Sequence, residues 1–139
     1  MTKEELIAEM NRRCDNGMMK TLGIVFEAVS KSQIVASFRV TESLLTPTNL
    51  MHGGVSLAVA EGVAGAGSFL HCDAGTFPVG SQVSGNHIKS ATLGMRLVAT
   101  GTLLHCGKKT HLWNVDICNE KNELVATARV TNHIIAAFK

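Results

Sequence analysis

The residues best suited to chemistry are grouped at one predicted helix start. Residues 49–54 read Asn-Leu-Met-His-Gly-Gly and lead into a run of small and apolar residues, 55–70, in which Glu61 is the only acid. Glycines such as Gly53 and Gly54 at a helix N-terminus leave backbone N–H groups exposed, and these groups can stabilise negative charge that develops on a carbonyl oxygen. An acid in an apolar helix needs a partner or a function. A tight turn or a solvated Glu explains each feature alone, but their combination favours catalysis at a polarised carbonyl.

The spacing of these groups bears on assembly. Gly53 and Glu61 are eight residues apart, which is about 12 Å along a helix axis. A Glu side chain cannot bridge that gap to reach an atom held by the Gly53 N–H. If both groups serve one reaction, they come from two subunits, and a two-fold dimer would form two such sites.

The elements around these residues predict an α+β domain that spans residues 1–139. Thr2 and Glu5 form a capping-box pattern that begins a helix over about 2–16, ended by Gly17. Two β-branched runs, 23–29 and 33–40, are joined by a short polar turn and predict a hairpin. Four further strands are predicted over 76–91, 95–105, 110–119 and 124–138, and the short turns between them favour an antiparallel meander.

The central helix is predicted over about 54–70. Gly62, Gly65 and Gly67 each weaken it by roughly 1 kcal/mol relative to Ala. Such a helix is expected to be buried on most of its sides, with the antiparallel sheet wrapped around it. Its small residues, with Val55, Ala58 and Val59 near its start and Phe69 and Leu70 at its far end, would line a pocket.

Composition excludes several classes of partner. The chain has 139 residues, 45% hydrophobic and only 17% charged, against a usual charged fraction of about 25%. A net charge of +2 with scattered basic residues and no Tyr argues against nucleic-acid binding. The apolar run 55–70 is shorter than the roughly 20 residues that cross a membrane. The shortage of charge suggests that other subunits cover part of the surface and favours a tetramer.

The cysteines predict a reducing environment and no metal site. Cys14, Cys72, Cys106 and Cys118 include no CxxC pair, and the N-terminus lacks the pattern of a signal peptide. We therefore expect free thiols and a cytoplasmic protein. A zinc site built from His71, Cys72, His105, Cys106 and His111 is not favoured, because these residues lack the short ligand spacings of zinc sites.

With these residues in place, the sequence resembles the hotdog-fold acyl-CoA thioesterases. The order of elements, the His52-Gly53-Gly54 turn, Glu61 nine residues after the His, and the segment Asn-His-Ile-Lys-Ser at 86–90 are similar to the PaaI-like branch related to 4-hydroxybenzoyl-CoA thioesterase, which uses a helical Glu. The resemblance covers roughly residues 18–135. It implies hydrolysis of an aryl or medium-chain acyl-CoA, with coenzyme A as part of the substrate, no further cofactor, and a dimer or a dimer of dimers.

The same resemblance implies roles for individual residues. Gly53 N–H would polarise the thioester carbonyl, His52 would orient that corner, and Glu61 of the partner subunit would attack the carbonyl or activate a water. Coenzyme A would lie in a surface groove, with Lys89, Lys108 and Lys109 near its phosphates. The residues implied to touch it are Gly80, His87, Ile88, Lys89, Ser90, His105, Cys106, Gly107, Lys108, Lys109 and Thr110.

Two positions depart from that pattern. Thr46 stands six residues before the His, where relatives have Asn or Gln, and Asn49 is a candidate substitute if Pro47 shifts the loop. Gly65 stands four residues after the acid, where many relatives have Ser or Thr. These departures keep a non-catalytic acyl-CoA binding module open as an alternative. An enoyl-CoA hydratase is less favoured, because the Asp with a His five residues later that is usual in hotdog hydratases is absent, and His52 is followed by two glycines.

Overall fold

The computed structural model describes residues 1–138, and its first helix begins at the predicted capping box. Helix α1, Lys3–Arg13, follows Thr2, whose hydroxyl accepts a hydrogen bond from the Glu5 N–H at 3.1 Å while the Glu5 carboxylate accepts one from the Thr2 N–H at 2.8 Å. The helix ends three residues earlier than predicted. A second helix that the sequence did not predict, α2 (Gly17–Leu22), starts at Gly17, whose positive φ of 57° turns the chain between the two helices rather than capping α1.

The remaining elements are strands around one long helix. The strands are β1 (Val25–Val29), β2 (Gln33–Arg39), β3 (Thr76–His87), β4 (Arg96–Cys106), β5 (Thr110–Cys118) and β6 (Leu124–Ala136). A short 3-10 helix, Glu42–Leu44, precedes the long helix α3, Gly53–Phe69. The α+β class and the central Gly/Ala-rich helix are thus as predicted.

The strand order corrects the predicted meander. All strands pair antiparallel in the order β1-β2-β4-β5-β6-β3. The predicted β1–β2 hairpin and the β4–β5–β6 meander are present, but β3 pairs with β6 and not with β4. Because β4 pairs with β2, the turn at 92–94 connects distant strands, and β3 becomes a sheet edge.

One face of α3 forms the centre of the core. Buried positions recur at helical spacing along it and include Val59, Ala60, Val63 and Ala64, each fully buried against apolar side chains of the sheet such as Trp113. On β5, Trp113, Val115 and Ile117 alternate with half-buried residues and point inward. Only Gly54, Glu61 and Phe69 of α3 are exposed, so the expectation that the helix is buried on most sides is confirmed. Its face toward α1 and α2 is covered only in part and leaves Glu61 exposed.

Strand β3 is the most exposed strand of the sheet. Its residues from Gly80 to His87 are exposed apart from Val83, although the strand is twelve residues long. Within residues 1–138, no helix is both long enough and apolar enough to span a membrane.

Candidate active site

The start of α3 presents one free backbone donor rather than the two predicted. His52 is the N-cap residue, and its Nδ1 accepts a hydrogen bond from the Gly54 N–H at 2.8 Å. The His52 N–H donates to the Leu44 carbonyl at 2.9 Å, which anchors the turn. Among the described residues, the Gly53 N–H has no hydrogen-bond acceptor. His52 therefore orders this corner and leaves the Gly53 N–H, at the positive end of the helix dipole, as the donor.

Gly53 lies against the side chain of His87 from strand β3. A Cβ at position 53 would be 2.8 Å from His87 Nε2, so only glycine fits here without displacing the ring. Beside it is a pocket of about 300 Å³ that is also lined by Ser56, Lys89 and Ser90. The structure thus brings Gly53 together with the segment 87–90, two regions that the resemblance assigned to one substrate.

Glu61 lies two turns further along α3, at the other end of β3. Its carboxylate occupies the space that a Cβ on Gly80 would need. The sequence predicted an acid buried in an apolar helix, but Glu61 is exposed in the single chain. It opens onto a groove of about 600 Å³ between α1 and α3.

That groove is not the pocket predicted from the sequence. Val55 and Val59 belong to the core, and Ala58 faces a different depression beside α2. Phe69 and Leu70 do line the groove at Glu61. Val55, Ala58 and Val59 therefore do not line the groove at Glu61, and Val55 and Ala58 line the depression beside α2.

The loop before the helix is folded on itself. The hydroxyls of Thr46 and Thr48 are 2.8 Å apart, and the Asn49 N–H donates to the Thr46 carbonyl at 2.9 Å. Asn49 adopts a positive φ of 63°. Among the described residues, neither the Thr46 nor the Asn49 side chain forms a hydrogen bond with Gly53 or Glu61.

The proposed coenzyme A residues are divided between the two ends of the sheet. His87 pairs with Ala126 on β6, whereas Thr110 pairs with His133, which also faces Val79. The seven residue steps from Ala126 to His133 span about 24 Å of strand. Gly80, which the resemblance also assigns to coenzyme A binding, lies against Glu61. One chain therefore does not bring the turn at 105–110 next to the segment 87–90.

The lysines in these segments differ in their pairing. Lys89 forms an ion pair with Glu123, and its ammonium group lowers the pKa of that carboxyl. Lys108 and Lys109 are exposed and form no ion pair within residues 1–138. They are free to meet an anion at their end of the sheet.

The structure also contains a buried polar cluster that the sequence did not reveal. The Ser68 hydroxyl accepts hydrogen bonds from Trp113 Nε1 at 2.8 Å and Asn132 Nδ2 at 2.9 Å. Its own hydrogen is then left for His111 Nδ1, 2.9 Å away. This assigns the neutral tautomer in which His111 Nε2 donates toward the Cys106 sulfur at 3.5 Å. The members come from α3, β4, β5 and β6, so no local spacing signals the cluster.

The surroundings of His111 favour its neutral form. Burial lowers the pKa of the His111 imidazole, and the nearby His71 and His105 lower it further. Among the described residues, no three His, Cys, Asp or Glu side chains are grouped so that they could hold a metal ion.

Comparisons with known proteins agree with this architecture. The sequence profile of the thioesterase superfamily matches residues 48–126, which include the turn at His52, Glu61 and the segment 87–90. A 1,4-dihydroxy-2-naphthoyl-CoA hydrolase of Listeria monocytogenes is 32% identical over 83% of this chain and 93% of its own length. The crystal structure of a thioesterase from Haemophilus influenzae superposes with a TM-score of 0.89 at 28% identity, covering 96% of this chain and 92% of that one.

A third similar protein bears on the loop at Thr46. A thioesterase of Staphylococcus aureus is 33% identical, with a TM-score of 0.80, and covers 84% of this chain and 97% of its own. It has been crystallised as a Gln-to-Ala mutant and as a Glu-to-Ala mutant, and the two substituted positions are fifteen residues apart. Thr46 and Glu61 have the same spacing here.

Proposed function

Because the chain belongs to the thioesterase superfamily and is a thioester hydrolase, we propose that it hydrolyses an aryl or medium-chain acyl-CoA to the free acid and coenzyme A. The observation that carries this proposal is the Gly53 N–H, left without an acceptor at the start of α3, together with a carboxylate on the same helix. The first supplies an oxyanion site and the second supplies a base or nucleophile.

The chemistry needs only these two groups and water. The carbonyl oxygen of the thioester would accept a hydrogen bond from the Gly53 N–H. This bond would make the carbonyl carbon more electrophilic. Glu61 would either take a proton from a water that attacks this carbon, or attack it directly to form an anhydride that water then opens. In both routes the C–S bond breaks, coenzyme A leaves as a thiolate that takes up a proton, and the acid is released.

The two groups would meet across a two-fold axis. Strand β3 carries Gly80 beside Glu61 and His87 beside Gly53, and all four lie on the helix side of the sheet. If two β3 edges pair antiparallel about Ser84, Val83 lies opposite Gly85 of the partner subunit. The bulge between Gly80 and Gln82 then lets Gly80 face the partner's His87. Such pairing would place each Glu61 next to the Gly53 corner of the partner subunit.

The character of β3 supports this pairing. Exposed edge strands are normally protected by charges, prolines or a short length. From Thr76 to Asn86 the strand has no charged residue, and its one proline, Pro78, is near its beginning. A second copy of the same strand would satisfy its free backbone groups.

The same two-fold axis would unite the two coenzyme A segments. In the paired sheet, the turn at 105–110 of one subunit lies at the same end as residues 87–90 of the other. Lys108 and Lys109 would then place their ammonium groups near the coenzyme A phosphates in the partner's site and attract them electrostatically. We also propose a dimer of dimers, in line with the low charge, and a cytosolic location, in line with the four unpaired cysteines.

Thiol release from a panel of acyl-CoAs tests the proposal. Aryl and aliphatic thioesters would be incubated with the wild-type protein and with Glu61→Gln, and free coenzyme A would be followed with a thiol-reactive dye. We expect turnover of at least one class and a loss of about 10²–10⁴-fold in kcat on substitution. Thermal unfolding checks that the variant is folded. Retained activity in Glu61→Gln would overturn the role of the acid.

A binding module is the second candidate, favoured by the loop at Thr46. The Thr46 hydroxyl is turned toward Thr48, so no amide side chain supports the carbonyl at this position. Calorimetric binding of coenzyme A by the wild-type protein, combined with no thiol release from any thioester in the panel, would favour this candidate over the enzyme.

A further inference from the structure

The groove beside Glu61 is lined mainly by apolar side chains. Its walls are made by flexible apolar side chains from the N-terminal helices, among them Leu6, Met10 and Met19, and by the glycine-bearing face of α3. Unbranched thioether side chains adapt to irregular apolar ligands. Of the described residues that line it, only Glu9, Arg13, Cys14 and Glu61 have polar side chains, and Glu9 is paired with Arg12 and Arg13.

This composition disfavours a hydroxylated ring. A ring hydroxyl placed against the apolar walls, away from these four polar side chains, would lose its water without gaining a hydrogen-bond partner, which is unfavourable. A saturated chain carries no such group and gains from every methylene that it buries.

The length of the groove sets the length of the chain. It runs along α3 from Glu61 to Phe69, eight residues, or about 12 Å. Because C–C bonds of about 1.5 Å are arranged in a zigzag, an extended alkyl chain advances about 1.3 Å per carbon and would fill this length with roughly nine carbons.

The absence of a side chain at Gly65 leaves the middle of the groove open. Gly65 is one turn after Glu61 on the same face, and a Cβ there would meet no atom within 4 Å. At Gly62, by contrast, Met19 Sδ already occupies the space, 2.6 Å from the Cβ position. The open path from the carboxylate therefore passes over Gly65.

We propose that the groove between α1 and α3 holds a medium-chain saturated acyl group and that Gly65 is a specificity-determining residue that keeps it open. The inference rests on the proposed function, because the acyl chain enters the groove from a thioester held at Glu61. It goes further in choosing an aliphatic over an aryl substrate.

The test measures kcat/KM of decanoyl-CoA, benzoyl-CoA and acetyl-CoA with wild type, Gly65→Ala and Gly65→Leu. We expect the wild type to prefer decanoyl-CoA. Gly65→Leu should lower the decanoyl-to-acetyl ratio by about thirtyfold, because several methylenes no longer fit, and Gly65→Ala should lower it less. Leu70→Ala lengthens the groove at the end away from Glu61 and should shift the preference to longer acyl chains. Its effect is therefore opposite to that of Gly65→Leu.

Binding separates failure of this inference from failure of the proposed function. In a Glu61→Gln background, calorimetry would compare decanoyl-CoA with acetyl-CoA, with and without Gly65→Leu. Tighter binding of decanoyl-CoA that Gly65→Leu abolishes supports the groove even if no thioester is hydrolysed. Preferred turnover of benzoyl-CoA, or a decanoyl-to-acetyl ratio that Gly65→Leu leaves unchanged, would overturn the inference while the thioesterase activity stands.

Discussion

The Glu61 carboxylate lies over the backbone of Gly80, in the space that a Cβ at position 80 would occupy. Glu61 of α3 can pack against the β3 edge at this point only because Gly80 has no side chain. We expect Gly80→Ala to displace the carboxylate and to lower kcat/KM by about 10–100-fold, since misplacement of a reacting group by about 1 Å is costly. Steady-state kinetics, with thermal unfolding and size-exclusion chromatography as checks of fold and assembly, provide the measurement. An unchanged kcat/KM in a folded variant would contradict this role for Gly80.

Mixing two inactive variants tests whether the site is shared. Gly53→Val would place a side chain against His87 and block the oxyanion corner, while Glu61→Gln removes the acid. In a mixed dimer, the wild-type Glu61 of one chain meets the wild-type Gly53 of the other, so one of the two sites is native. After unfolding and joint refolding, random pairing should restore about one quarter of wild-type activity.

The control for that experiment is each variant refolded alone, which should remain inactive. If the mixture is as inactive as its components although mixed dimers are detected by mass spectrometry, both groups act within a single chain.

Two glycines of α3 should respond to alanine in opposite directions. A Cβ at Gly67 would lie 2.5 Å from Trp113 Cη2, so Gly67→Ala should lower the free energy of unfolding by about 1–3 kcal/mol through overpacking. A Cβ at Gly65 meets nothing within 4 Å, so Gly65→Ala should raise it by up to about 1 kcal/mol through helix propensity. Urea unfolding followed by Trp113 fluorescence measures both. Equal effects of the two substitutions would refute the difference in packing.

The buried His111 should make stability depend on pH. Burial lowers the pKa of its imidazole in the folded state, so the unfolded chain binds the proton more readily. This contribution to stability is complete above the unfolded pKa of about 6.5 and is lost progressively as the pH falls from that value through the lower pKa of the folded state. Urea midpoints measured from neutral to mildly acidic pH should decline toward acid. The decline should be smaller in His111→Gln, and a slope that this substitution leaves unchanged would assign the effect to other groups.

Local patterns were sufficient to predict the elements near the site but not their neighbours. The capping box at Thr2 and the α3 boundaries within one residue follow from local patterns alone. The position of β3 does not. A short turn suggests that consecutive strands pair, but β4 finds its partner in β2, far back in the chain, and β3 is left to pair with β6.

The site shows the same division. That Gly53 and Glu61 carry the chemistry remains a prediction from their spacing and from the family resemblance. The occupied Gly54 N–H and the exposed Glu61 could not be predicted, because they depend on the orientation of the His52 ring and on how little of α3 the N-terminal helices cover. The hydrogen-bonded cluster around Ser68 could not be predicted from the sequence either, because its members are brought together only by the pairing of the strands.

Pairing through the uncharged β3 edge would make the amount of active protein depend on a monomer–dimer equilibrium. If each site is completed only when two such edges pair, the fraction of active dimer rises with the protein concentration. Dilution would then lower the specific activity although no chain unfolds. Substrate bound across the junction would oppose that loss. Specific activity should then rise with enzyme concentration until the pairing saturates, and the cell would set the rate of hydrolysis partly through the abundance of the chain.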